Sequence, residues 1–178
     1  MAWCYHNTQR FTLALGHWQA AVRHAHGLGP SGLALKAEAL RDSAYAFAEK
    51  KDVAQALAYY RANAEPKNIG EYFELLAKIL SDQGKTKLSN DIWSELVRLS
   101  PSDAKSAIAR QNIAKNALKR NQYQKLWKTV FRIIKMSRPN SAWAQANPRL
   151  APQLRNDIKP LTLFFSDSIH ATAKKQKS

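Results

Sequence analysis

The chain is poor in cysteine, in helix-breaking residues and in acidic side chains. Its 178 residues include one Cys, six Gly and seven Pro, with 13 Asp or Glu against 28 Lys or Arg and a formal net charge of +15. The single Cys4 excludes an internal disulfide, and we expect it to be a packing residue rather than a nucleophile. Good helix formers dominate the rest of the composition, which favours a helical fold.

Long apolar runs, period-two alternation and the common catalytic motifs are also missing. We therefore expect no transmembrane segment, no secretory signal and no β-sheet. The sequence has no phosphate-binding glycine loop, no nucleophile elbow and no H-E-x-x-H motif. The histidines lack the converging acids or thiolates that a zinc site needs. We expect no catalytic residue, no metal and no cofactor.

Small residues recur at a fixed spacing in four places along the chain. In each place a small or apolar residue follows another by twelve positions, and an aromatic or aliphatic residue comes four positions later. The four series are Ala2, Ala14 and Trp18; Ala44, Ala56 and Tyr60; Ala77, Ser89 and Trp93; and Ala114, Leu126 and Val130. They are offset by 42, 33 and 37 residues. Self-similarity near a period of about 34 residues predicts a helical hairpin repeated along a solenoid.

The third series carries a resemblance to a known family. It reads Phe73-x-x-Leu76-Ala77-x-x-Leu80, then Gly84, then Ser89-x-x-x-Trp93, then Pro101. This resembles the tetratricopeptide pattern of W-x2-L-G-x2-Y, A-x3-F and P. The resemblance implies an all-α fold, a right-handed solenoid of about four antiparallel helix hairpins over residues 1–139, followed by a C-terminal helix. Such a solenoid presents an extended surface and seldom catalyses.

Each repeat position has an expected structural role. Ala77 and Ser89 lie where two helices cross, and Trp93 fills the space between hairpins. Gly84 can adopt the positive φ that ends a helix, and Pro101 stops the following helix, after which Ser102 or Asp103 caps the next one. The structural repeat residues are Ala44, Ala56, Ala77, Gly84, Trp93 and Pro101.

The two ends of the chain depart from the repeat pattern. Residues 2–7 supply only the last turns of a first helix, which suggests a piece excised from a larger repeat protein; a short capping helix is the alternative. Residues 27–32 should form a long linker. Residues 140–178 form a separate basic segment interrupted by Pro148, Pro152 and Pro160, with a helix from Leu154 that begins a further hairpin.

The positive charge is concentrated in the C-terminal half. Residues 105–178 carry 16 Lys or Arg against two acids, and no acid occurs from Ala104 to Asn156. The cations fall at helical steps, and the candidate residues are Lys115, Lys119, Lys125, Lys128, Arg132 and Lys135. By analogy with the family, Lys115, Lys119 and Gln111 should face the ligand groove. The alternative is a solvated surface that only keeps the chain soluble.

This basic half predicts an acidic protein or peptide partner. An anionic membrane surface or cell-wall polymer is the alternative. Nucleic acid is the least supported partner, because Trp127 fits an apolar repeat position better than a base-stacking platform.

The upstream groove should have mixed charge. Its candidate partner-binding residues are Arg41, Tyr45 and Lys78, accompanied by Glu74 and Asp82. Some tetratricopeptide domains clamp a C-terminal carboxylate with Lys, Arg and Asn, and the two acids depart from that pattern. A peptide bound here should carry charges of both signs.

A narrower resemblance concerns the parent protein. Two short segments are similar to parts of large tetratricopeptide proteins of bacterial cell envelopes, including those of gliding-motility machines. They are the ending from Ser168 to Lys175 and the sequence Leu40-Arg41-Asp42-Ser43-Ala44 in the second unit. This implies a non-catalytic interaction scaffold in the bacterial periplasm or envelope. A cytoplasmic regulatory or assembly domain that contacts RNA or a membrane is the alternative. We also expect self-association through the apolar ends.

Overall fold

The protein is built from helices. The computed structural model describes the backbone of residues 1–25 and 27–175, and their side chains except at 165 and 167–175. Every regular element in that part of the chain is helical, which confirms the predicted all-α class. The helices are α1 (Ala2–Asn7), α2 (Phe11–Ala25), α3 (Gly29–Lys50), α4 (Val53–Asn63), α5 (Ile69–Asp82), α6 (Thr86–Leu99), α7 (Ala104–Lys119), α8 (Tyr123–Met136), α9 (Ala142–Ala146) and α10 (Leu150–Lys175), with a 3-10 turn at Pro66–Asn68.

The chain divides into two compact units, Met1–Trp93 and Ser94–Ser178, with the boundary inside α6. In the first unit, α3 packs against α2, α4 and α5. In the second unit, α7 packs against α8, and α10 packs against both. Leu126 and Val130 of α8 lie with Ala114 of α7 in one apolar cluster of this second unit, while Ile133 joins Trp143 and Leu154 in another. These contacts fix the faces that α7 and α8 leave exposed.

The turns after α1, α3, α5 and α7 share one backbone feature. Each contains a residue in the left-handed region: Gln9 (φ 60°), Lys51 (φ 56°), Gly84 (φ 72°) and Asn121 (φ 55°). Their offsets of 42, 33 and 37 residues equal those of the small-residue series. A left-handed residue ends a helix and lets the chain reverse. The positive φ predicted at Gly84 is therefore confirmed, and Lys51 adopts it in the equivalent place.

The small repeat residues allow close helix contacts. Ala44, Ala56 and Ala77 are completely buried. The Ser89 hydroxyl on α6 donates a hydrogen bond of 2.8 Å to the Ala77 carbonyl on α5. A larger side chain at Ala77 would push these two helices apart. Trp93 is likewise buried, as its repeat position predicts.

The predicted linker over residues 27–32 is wrong, because α3 already begins at Gly29 and has 22 residues. Pro30 fits the first turn of a helix, where no backbone N–H is required. Gly32 is buried against the end of α2, where a Cβ atom would lie 2.1 Å from the Ala25 carbonyl oxygen. The 42-residue offset thus reflects a longer helix.

The ends of α6, α7 and α10 can be compared with the caps and proline positions that the sequence predicted. The Asp103 carboxylate accepts a hydrogen bond of 3.0 Å from the Lys105 amide, which confirms one of the two predicted caps. α6 ends at Leu99, two residues before Pro101. α10 starts at Leu150, earlier than the predicted Leu154, and continues through Pro160.

Candidate functional site

Helix α8 presents three kinds of side chain along its length. Leu126, Val130 and Ile133 are buried in the core. A second face, here called the cationic stripe, consists of the exposed residues Lys125, Lys128, Arg132 and Lys135. A third face, the aromatic ridge, consists of the exposed residues Tyr123, Trp127 and Phe131. Because a helix turns by about 100° per residue, the stripe and the ridge are neighbouring faces.

The cationic stripe borders two adjoining cavities. One has a volume of about 320 Å³ and is lined by Lys125, Lys128 and Arg132 together with Arg110 of α7. The other, of about 560 Å³, is lined by Arg110, Arg132, Lys135 and Met136. We call the surface formed by Arg110, Lys125, Lys128, Arg132 and Lys135 the basic cleft. The described residues that line it include no Asp or Glu.

Arg110 is the most enclosed cation of the basic cleft. Its Nε atom is shielded from solvent and has no hydrogen-bond partner among the described residues. Burial, and next the charge of Arg132, lower the pKa of Arg110. A guanidinium nevertheless keeps its proton at physiological pH. An anion in the cleft would relieve both unfavourable effects, because it supplies an acceptor and an opposite charge.

The other cations expected at this site lie outside the cleft. Lys115 and Lys119 are exposed on α7 but do not line either cavity. Gln111, which was expected to face the same groove, donates its amide to the Asp157 carboxylate of α10 at 3.2 Å. α10 therefore contacts this face of α7 at Gln111, while Lys115 and Lys119 stay exposed.

Sequence reasoning missed Arg110 and the aromatic ridge. Arg110 stands where the repeat pattern has an aromatic residue, and this departure was the available signal. The prediction that Trp127 fills an apolar repeat position is wrong, because its side chain is 38% exposed and packs at 6.0 Å from the Phe131 ring.

The predicted mixed-charge groove lies in the first unit. Arg41 is exposed, and the Tyr45 ring lies 5.3 Å from the ring of Trp3. The Lys78 ammonium pairs with the Glu74 carboxylate at 2.7 Å. Because Glu74 offsets the charge of Lys78, this surface lacks the excess of one sign that distinguishes the basic cleft.

Comparisons with known proteins identify no family for this chain. No protein-family model matches the chain, and no curated protein or solved structure matches it significantly. Within the described residues, no three His, Cys, Asp or Glu side chains are grouped so that they could hold a metal ion. None of the helices described here combines the length and apolar character needed to cross a bilayer. The tetratricopeptide resemblance stays a prediction from the sequence pattern.

Proposed function

We propose that this chain is a non-catalytic helical-repeat scaffold whose basic cleft binds an acidic segment of a partner protein. The observation that carries the proposal is the convergence of five cations on adjoining cavities between helices. The Nε atom of one of them, Arg110, is buried and has no hydrogen-bond partner in the part of the chain that the structure describes. Cations held together without acids store electrostatic repulsion, which an anionic ligand removes. An open cleft between helices is accessible to the extended side chains of a peptide.

The repeat architecture is the other part of the proposal. The four left-handed turns recur with the offsets of the small-residue series, and this agreement supports a tetratricopeptide-like solenoid of hairpins. In such an architecture neighbouring hairpins create grooves for extended ligands. The cleft next to α7 and α8 is one such groove. The surface around Arg41, Tyr45 and Lys78 is a weaker candidate, because its charges are mixed.

The test is a binding titration with a synthetic Asp- and Glu-rich peptide labelled with a fluorophore. We expect the variant Lys125→Glu, Lys128→Glu, Arg132→Glu to weaken binding by about tenfold or more, since it replaces attraction by repulsion at the cleft. Binding by the wild type should weaken steeply with salt, because exposed charges are screened beyond about 8 Å at physiological ionic strength.

The matched control is Lys115→Glu, Lys119→Glu, which reverses two exposed α7 cations outside the cleft lining. It should change affinity by only about two- to threefold through the long-range field. Equal losses in both variants would mean that net charge alone attracts the peptide. A cleft variant that binds like the wild type would overturn the proposal, as would a clear preference for a single-stranded RNA over the peptide.

A further inference from the structure

The aromatic ridge is an exposed apolar surface that the basic cleft does not use. Tyr123, Trp127 and Phe131 are 46%, 38% and 41% exposed and follow one another at intervals of four residues. They therefore extend over about 12 Å of α8. Phe164 of α10, 42% exposed, lies 6.3 Å from the Tyr123 ring and continues the surface onto a second helix. Four large aromatic rings are thus exposed side by side.

Positive charge borders this ridge. The Lys135 ammonium lies over the Phe131 ring, 4.8 Å from its centroid. Lys128 and Lys135 belong to the face next to the ridge, and no acid occurs from Ala104 to Asn156. A partner that covers this surface must therefore offer apolar contact and negative charge together.

Two other possible partners fit the aromatic ridge and its bordering positive charge poorly. A second copy of the chain would bring its own excess of positive charge against the first. Single-stranded nucleic acid needs ring faces onto which bases can stack. The Tyr123 ring already stacks with Phe164 at an interplanar angle of 30°, and Lys135 covers a face of Phe131.

We propose that the aromatic ridge is a docking face for an anionic lipid bilayer. Tyr, Trp and Phe beside Lys are the combination that settles at the boundary between headgroups and acyl chains. The rings enter the interface, while the flexible lysine stems carry their ammonium groups back to the lipid phosphates. This binding is peripheral. Its aromatic rings lie on a different face of α8 from the peptide cleft, whereas Lys128 and Lys135 border both surfaces. The proposal holds whether or not the cleft binds an acidic segment.

The test is co-sedimentation of the full chain with vesicles of phosphatidylcholine alone and of phosphatidylcholine mixed with phosphatidylglycerol. We expect binding to the mixed vesicles, and a loss of about tenfold or more in the variant Trp127→Ser, Phe131→Ser, because two interfacial rings are removed. Trp127→Phe should stay within about threefold of the wild type, since it keeps an aromatic ring at this position.

The matched control is Leu13→Ser, which removes a half-exposed apolar side chain of α2 far along the chain from the ridge. It should leave vesicle binding unchanged, and circular dichroism should give the same helix content for every variant. Binding of the ridge variant at the wild-type level would overturn the proposal, as would equal wild-type binding to neutral vesicles or none to either kind. A normal response to the acidic peptide in the ridge variant would show that the cleft is intact.

Discussion

Gly32 and Gly16 are both helical glycines, but their surroundings differ. Gly32 lies in the first part of α3, and a Cβ atom there would come within 2.1 Å of the Ala25 carbonyl oxygen and 3.0 Å of the Leu28 Cβ. Gly16 lies on the exposed face of α2, and a Cβ atom there would meet nothing within 4 Å. The absence of a side chain is therefore a packing requirement at Gly32 and not at Gly16.

This contrast gives a prediction for the pair of alanine variants. Gly32→Ala should lower the free energy of unfolding by about 1–3 kcal/mol, because the carbonyl is backbone and cannot move aside cheaply. Gly16→Ala should raise it by about 0.5–1 kcal/mol, since alanine is the better helix former. Urea unfolding followed by circular dichroism measures both. Equal effects in the two variants would show that α3 does not approach α2 at Gly32.

At the scale of elements, a left-handed residue follows each of α1, α3, α5 and α7. Lys51 adopts φ 56° directly after α3, and its amide donates to the Ala48 carbonyl at 3.3 Å. This conformation costs a residue with a Cβ atom about 1–2 kcal/mol, and the cost is smaller for asparagine than for lysine. The turn at Lys51 is therefore more strained than the turn at Asn121.

We expect Lys51→Gly to raise the free energy of unfolding by about 0.5 kcal/mol or more, because the relief of strain exceeds the added chain entropy. Asn121→Gly should raise the free energy of unfolding by a smaller amount, because asparagine is less strained in this conformation. Lys115→Gly is the control, since this exposed lysine lies in the interior of α7 and its replacement should cost about 1 kcal/mol. A loss of stability in Lys51→Gly would mean that packing, rather than strain, dominates this turn.

The order of the helices could be predicted from the sequence because their signals are local. The spacing of Ala77, Ser89 and Trp93 can be recognised within α5 and α6 alone. Gly84 and Pro101 mark the ends of these two helices. The start of α3 could not be predicted in this way, because Gly32 is explained by its approach to Ala25 in the preceding helix. The basic cleft could be predicted only in part. Helical spacing predicted the cationic stripe on α8. The place of Arg110 in the cleft could not be predicted, because it depends on how α7 packs against α8.

At the scale of the whole molecule, net charge opposes association between copies. The formal charge is +15 and the isoelectric point is about 10.1. Several large apolar side chains are nevertheless exposed, including Leu13, Leu33 and Leu163. Charge repulsion and apolar attraction therefore act against each other when two copies meet.

We expect monomers at low salt and self-association at high salt, because the screening length falls to about 3 Å at 1 M salt. Sedimentation velocity over a range of salt concentrations measures this. The variant Trp127→Ser, Phe131→Ser should associate less than the wild type, since it removes exposed apolar surface. Oligomers that form at low salt and dissociate at high salt would instead indicate an interface held by ion pairs.

The turns after α1, α3, α5 and α7 share a backbone torsion rather than a residue type. Glutamine, lysine, glycine and asparagine stand at the four equivalent positions and give nearly the same φ. Fully buried residues flank three of these turns, namely Ala44 and Ala56, Ala77 and Ser89, and Ala114 and Leu126. The backbone conformation of these turns is thus more uniform than their residue types. These four turns are aligned more clearly by comparing dihedral angles along the chain than by comparing residue types.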